Sequence, residues 1–216
     1  MTVLVKLCGN RSLHDIQTVR TVDVDYIGVI FAESKRKAEP ERLREWLFRY
    51  PLAPQQKLVG VFVHPDMKEV EYILDTVSLN VIQLHGNETP SYVLNVKETT
   101  GIPVWKAIRH QEKGIESMKS FEGLVDGFVI DSKVKGAWGG TGIQFDWNSV
   151  PEYTREAKRQ GVPCFIAGGI RPENVGDLLK HNPIGIDISS GIETNERKDP
   201  EKIKTMISRV MTHEVS

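Results

Sequence analysis

Cys8 lies two residues beyond Lys6 in the opening apolar run, and that spacing suits proton chemistry. Residues i and i+2 of a strand share a face, and a neighbouring cation favours the thiolate. Cys8 therefore reads as a base or nucleophile, or equally as a small buried hydrophobe. Asp131 ends the run Gly-Phe-Val-Ile-Asp. It either caps a turn or pairs with Lys133, or it is desolvated in a pocket and serves as a general acid. A thiol and a carboxyl on opposite sides of one mouth suit paired acid–base work on a small substrate. Glycines gather in Gly139-Gly140-Thr141-Gly142, Ala167-Gly168-Gly169-Ile170 and Ser189-Ser190-Gly191. Each could be an ordinary turn, but three in succession suit a phosphate held by backbone N–H groups. In Ser34-Lys35-Arg36-Lys37, which otherwise reads as a solvated loop, the fork of Arg36 fits a carboxylate. His64, His85 and His110 follow three successive apolar runs and raise a metal-dependent hydrolase or epimerase as an alternative, although no H-x-H or H-E-x-x-H spacing occurs. Cys164, between Pro163 and Phe165, reads as core.

These residues stand at the ends of short apolar runs that must position them. Residues 3–8, 26–31, 58–63, 81–85, 104–108, 127–131, 164–167 and 184–189 are rich in Val, Ile and Phe and read as buried strands. Each interval leaves room for one helix, as parallel strands require for their crossovers. Leu43, Trp46, Leu47 and Tyr50 recur at helical spacing, as do Ile203, Met206, Ile207 and Val210. Thr89-Pro90 and Asp199-Pro200 each offer an N-cap followed by proline, and Ser12 with Asp15 resembles a capping box. The segment 151–160 is the weakest helix, with only Tyr153 and Ala157 in apolar register. Eight strand–helix units predict a closed (β/α)8 barrel, the TIM-barrel architecture, as a single domain over residues 1–216. A doubly wound open sheet is the alternative, but Cys8-Gly9-Asn10-Arg11 lacks a dinucleotide fingerprint. In a barrel the inner-face pairs Lys6 with Cys8, Gln83 with His85, and Gly185 with Asp187 point inward, and the C-terminal strand ends form the active site.

Composition narrows the function classes. With 28 basic and 29 acidic side chains the chain has no electrostatic footprint for nucleic acid or anionic lipid. No apolar stretch approaches the length of a membrane helix, and Lys6 interrupts the N-terminal run. Two cysteines make no disulfide framework, and a Cys8–Cys164 bridge would have to span strands that are not neighbours. The expectation is a cytoplasmic protein acting on a small molecule, with no nucleic-acid or membrane partner. Monomer and homodimer stay open. A non-enzymatic sugar-phosphate binding module would use the same glycine loops, but it needs neither acid nor base.

Val5-Lys6-Leu7-Cys8-Gly9, Phe31 through Ser34-Lys35-Arg36, Gly60-Val61-Phe62-Val63, Gln83-Leu84-His85-Gly86, Asp131-Ser132, Gly139-Gly140-Thr141-Gly142, Phe145-Asp146-Trp147, Ala167-Gly168-Gly169-Ile170, Pro172-Glu173-Asn174-Val175 and the stretch from Asp187 to Glu193 occur in that order. Together they resemble the phosphoribosylanthranilate isomerase family over nearly the whole chain. The resemblance implies an Amadori rearrangement of N-(5-phosphoribosyl)anthranilate to 1-(2-carboxyphenylamino)-1-deoxyribulose 5-phosphate in tryptophan biosynthesis, with no cofactor or metal. It implies Asp131 as the acid that protonates the furanose oxygen and Cys8 as the base that removes the C2 proton. It implies Arg36 on the anthranilate carboxylate, Asp187 near the sugar, and His85 near the site. Gly140, Gly168, Gly169, Ser190 and Gly191 are implied around the phosphate. Asn10-Arg11 departs from the family pattern of an apolar residue and Thr, which bears on the loop that orients Cys8. The segment 135–142 around Trp138 is expected to cover the site.

Overall fold

Short runs of β-branched and aromatic residues pair in chain order and close on themselves. The computed structural model describes residues 3–132 and 145–214. In it β1 (Leu4–Leu7), β2 (Tyr26–Ile30), β3 (Lys57–Phe62), β4 (Val81–Leu84), β5 (Val104–Arg109), β6 (Gly127–Asp131), β7 (Cys164–Ala167) and β8 (Gly185–Ile188) form a closed parallel barrel. Closure comes from β1, which pairs with both β2 and β8, with Lys6 in register with Tyr26 and with Asp187.

Local chemistry sets the helices between the strands. Helix α1 (Leu13–Val19) starts at Ser12, whose hydroxyl accepts the Asp15 N–H. The Asp15 carboxylate reaches back to the Arg11 N–H at 3.0 Å, one residue before the position a capping box uses, and also accepts the Lys198 N–H. Helix α2 (Pro40–Arg49) opens on proline, and α3 (Met67–Thr76) is capped by the Asp66 carboxylate. Helix α4 (Pro90–Thr100) has Thr89 at its cap and ends on Gly101 at φ 65°, a conformation that suits glycine. After α5 (Gly114–Lys119) comes α6 (Val150–Gln160), whose apolar face is short because only Val150, Tyr153 and Ala157 are its buried hydrophobic residues. Helices α7 (Val175–Leu179) and α8 (Pro200–Glu214) finish the ring, α8 burying Ile203, Met206 and Val210. A hairpin of β9 (Glu193–Thr194) and β10 (Arg197–Lys198) sits between β8 and α8.

Side-chain alternation divides each strand between two cores. Outward residues such as Leu7, Ile27, Ile82, Phe128 and Ile186 are fully buried in the core that includes the helices. Inward residues at the N-terminal end of the barrel form a separate plug. There Tyr26 meets Trp105 edge-on at 4.8 Å between ring centroids, and Trp105 stacks on Phe165 at 4.7 Å. A side chain at Gly127 would lie 2.6 Å from the Trp105 ring, and one at Gly185 equally close to Phe165. Glycine at these two inward positions is what admits the large rings.

Candidate active site

At the other end of the same interior the inward residues turn polar. They line a cavity of about 330 Å³ whose walls include Cys8, Arg36, Gln83, His85, Asp131, Gly168, Gly169, Asp187 and Ser190. Alternation on β1, β4 and β8 delivers Lys6 and Cys8, Gln83 and His85, and Asp187 to this end, as the sequence spacing predicts.

Cys8 follows the last residue of β1, and its N–H donates to the Ile188 carbonyl at 2.8 Å. Its thiol occupies space left by Gly28 of β2, where a Cβ would lie 2.7 Å from Sγ. Beside it the fully buried Lys6 ammonium donates to Asp187 Oδ2 at 2.8 Å. Burial pushes the Cys8 thiol up and Asp187 adds to the effect, while Lys6 and Lys198 oppose it without prevailing. Lys6 thus pulls toward the thiolate as the sequence suggests, but the resting group is the thiol. Burial disfavours the Lys6 charge, yet Asp187 and Cys8 outweigh it and leave its ammonium above the ordinary range.

Asp131 ends β6 on the opposite wall. Its Oδ1 accepts the Ser132 N–H at 2.8 Å, and Oδ2 lies 3.1 Å from His85 Nε2. His85 Nδ1 in turn lies 2.9 Å from Gln83 Nε2. This chain of three side chains was not legible as a unit, although the two-residue spacing of Gln83 and His85 put both on one face.

Arg36 lines the cavity, but its guanidinium is already engaged. Nε and Nη2 donate to the two oxygens of Glu193 at 2.9 and 2.7 Å. Lys198, fully buried, adds a third cation–carboxylate bond to Glu193 at 2.9 Å. Burial would raise the Glu193 carboxyl, yet Arg36 and Lys198 hold it down at about 2. Arg11 braces the same region by donating to the carbonyls of Lys35 and Glu196, so it ties the loops after β2 and β8 together. Its neighbour Asn10 is buried and donates to the carbonyls of Leu7 and Gly28, fixing the turn that carries Cys8.

Among the glycines expected around a phosphate, Gly168 and Gly169 line the cavity at φ 90° and 66°. Ser190 lines it too, together with Ser189, whose buried hydroxyl has no hydrogen-bond partner among the described residues. Gly191 is not on the cavity wall. It allows its turn to press against the Ile170 carbonyl, where no Cβ would fit. Gly140 and the expected cover at 135–142 lie outside the described residues.

The histidine metal site does not form. His64 is in the left-handed region at φ 49°, its N–H donating to the Glu88 carboxylate. His110 stacks on Phe145 at 4.3 Å and meets the Tyr153 hydroxyl, so it packs toward α6, and its burial lowers its basicity. Only His85 reaches the cavity. Among the described residues no three His, Cys, Asp or Glu side chains are grouped to hold a metal ion. Both cysteines are free.

Glu88 and Lys106 were missed from sequence. Lys106 donates to three backbone carbonyls and pairs with Glu88 at 3.0 Å, while Glu88 also accepts the N–H groups of His64 and Gly86. The pair ties the ends of β3, β4 and β5 together. A lysine inside the apolar run of β5 was the available signal.

Known proteins share this architecture and sequence. The family model described as N-(5'phosphoribosyl)anthranilate (PRA) isomerase matches residues 5–209. The N-(5'-phosphoribosyl)anthranilate isomerase of Geobacillus thermodenitrificans is 52% identical over 94% of this chain and 91% of its own. A crystal structure of phosphoribosyl anthranilate isomerase from Thermotoga maritima superposes with a TM-score of 0.84 at 29% identity, covering 98% of this chain and all of that one. Another, of the isomerase in complex with reduced 1-(o-carboxyphenylamino)-1-deoxyribulose 5-phosphate, superposes at 0.81 and 28% identity, with 98% of this chain and all of that one covered. With its barrel closed by the same eight strand–helix units that its sequence spells out, the chain belongs to the N-(5'-phosphoribosyl)anthranilate isomerase family.

Proposed function

We propose that Asp131 and Cys8 are the acid and base with which this isomerase converts N-(5'-phosphoribosyl)anthranilate to 1-(2-carboxyphenylamino)-1-deoxyribulose 5-phosphate. One observation carries the assignment: the two groups line one cavity from β1 and β6, on opposite walls. Asp131 protonates the furanose oxygen, the C1–O bond breaks, and the anthranilate nitrogen lone pair forms a protonated Schiff base. That cation acidifies the C2–H bond. It also stands beside Cys8, where with Lys6 and Lys198 it favours the thiolate that burial otherwise opposes. Cys8 releases its thiol proton to solvent as that cation forms, and the thiolate takes the C2 proton and leaves an enolamine. Ketone formation then takes up a solvent proton at C1 and returns the C2 hydroxyl proton to Asp131, so both groups end as they began. Every step is a proton transfer or a shift of an electron pair, and none calls for a cofactor.

Arg36, with Nε and Nη2 held by Glu193, keeps Nη1 for the anthranilate carboxylate. Asp187 faces the sugar with Oδ1, which is buried without a hydrogen-bond partner among the described residues. Gly168, Gly169, Ser189 and Ser190 receive the phosphate, with Gly140 and Gly191 in the supporting turns, and His85 holds Asp131. We place the enzyme in the cytoplasm as one barrel domain. Two unpaired cysteines agree with that compartment, and among the described residues no helix is long and apolar enough to cross a membrane.

The test is the decay of anthranilate-type fluorescence when the purified protein meets freshly made N-(5'-phosphoribosyl)anthranilate, with the product identified by mass and chromatography. Decay well above the buffer blank is expected. Folded protein that leaves the blank rate unchanged would sink the assignment.

A further inference from the structure

The Gln83 amide lies inside the barrel, 1% exposed and on the cavity wall. Among the described residues its one hydrogen-bond partner is His85, through Nε2, and its Oε1 is buried without a partner. An amide N–H facing His85 Nδ1 must donate, so Nδ1 carries no proton. The single imidazole proton then sits on Nε2 and is donated to Asp131 Oδ2 at 3.1 Å, while Oδ1 accepts the Ser132 N–H. In that arrangement both oxygens of Asp131 accept, and the carboxylate holds no proton to give.

A half-turn of the amide, which leaves its shape nearly unchanged, brings Oε1 against Nδ1. Nδ1 then carries a hydrogen, and one further proton lies between Nε2 and Oδ2. In both orientations one end of the amide is left without a partner among the described residues, so none of those residues selects between them. The orientation follows the proton count of His85 and Asp131.

Resting on the assignment of Asp131 as the acid, we propose that Gln83 is a positioning residue whose amide turns to let the His85–Asp131 pair take up the proton delivered to the furanose oxygen. The cycle balances within the reaction. The pair loses one proton to the ring oxygen and regains one from the C2 hydroxyl as the ketone forms, with the amide turning back when the pair is empty. Among the described residues the other titratable groups on the cavity wall are Cys8 just after β1, Arg36 with its loop neighbours Glu33 and Lys37, Glu69 of α3 and Asp187 of β8. Lys6 stands behind Asp187, and Arg109 is in register with Asp131. All of these are unaltered in Gln83 variants, so a change in pH response isolates the amide.

The experiment measures kcat and KM against pH for the wild type, Gln83→Leu and Gln83→Glu. Leucine cannot accept the Nδ1 hydrogen, so the limb of the profile that belongs to the pair moves to lower pH, and kcat at neutral pH falls about tenfold with KM changed less than about threefold. Glutamate accepts that hydrogen permanently, so the same limb moves above its wild-type position and kcat below it recovers. Coincident limbs in all three proteins would overturn the proposal, because a packing role alone changes stability or KM without ordering the limbs. Nitrogen-15 spectra of the histidine-labelled wild type give a second readout. Nδ1 gaining a proton across the limb supports the turning amide, and Nδ1 bare on both sides overturns it even if the leucine variant does not fold. A wild type without turnover would instead remove the underlying acid–base reading, and the nitrogen spectra would still decide the amide.

Discussion

The two ends of the barrel interior are built from the same strands, two residues apart, and they differ in what they leave unfinished. At the N-terminal end Tyr26, Trp105 and Phe165 fill the space with rings at 4.7 to 5.4 Å, and glycines opposite them make the fit. At the C-terminal end Gln83, Asp187 and Ser189 each keep a buried polar atom without a hydrogen-bond partner among the described residues, and all three line the cavity. The first end is closed by packing alone, whereas the second leaves polar atoms on the wall of a cavity. One strand can serve stability at its start and chemistry at its end, because alternation sends both residues inward while their depth in the barrel decides whether water and ligand reach them.

Breaking the plug gives the largest change in stability. Phe165→Ala empties a site closed on all sides, and chemical denaturation should show a loss of about 3–5 kcal/mol. The folded fraction should retain its kcat within about twofold, since Phe165 does not line the cavity. A large fall in kcat at full folding would mean that the two ends are not separate.

Lys6→Met tests the boundary between them. It leaves the Asp187 carboxylate buried without its ion pair, at a cost of about 3 kcal/mol. It also removes a charge that favours the Cys8 thiolate, so the Cys8 limb of the pH profile should move to higher pH. Unchanged stability and an unmoved limb would show that the ammonium couples to neither group.

Glu193→Gln probes the support beneath Arg36. The carboxyl is held at about 2 in the folded protein against an ordinary value of 4.5. Because the folded value is depressed, its stabilisation is present above pH 4.5 and is lost as pH falls toward 2. The substitution should lower stability at neutral pH by about 2 kcal/mol and flatten the acid dependence in that window. Parallel melting curves for the two proteins from pH 5 downward, where the wild type normally steepens, would contradict the assignment. The smallest effect belongs to His64→Ala. Its side chain is half exposed at a turn, so stability should change by less than about 0.5 kcal/mol and kcat by less than about twofold.

The strands were legible because a buried parallel strand is a short apolar run, and each of the eight lies within a residue or so of its expected span. Inward alternation also gave Lys6, Cys8, Gln83, His85 and Asp187 from spacing alone. What alternation cannot give is which partner a side chain meets across the barrel. The sequence offers Arg36 as a fork for a carboxylate but not Glu193 as its partner, because the hairpin after β8 that brings Glu193 against it is two short strands with little pattern of their own. The three histidines look equivalent because each follows a strand. Backbone direction separates them: His64 turns with a positive φ, His85 continues the inward face, and His110 falls on the outward one. Lys106 escaped notice for the opposite reason. It is a cation on an outward face that should be apolar, and only the carbonyls at the ends of its neighbouring strands explain how it is held.

The most direct test of an acid and a base across one mouth is turnover of N-(5'-phosphoribosyl)anthranilate by Asp131→Asn and Cys8→Ala beside the wild type, each verified as folded by its melting curve. Each substitution should lower kcat by about 10²–10⁴, the range for removing a general acid or base, while KM changes little. Wild-type kcat in either folded variant would contradict the account.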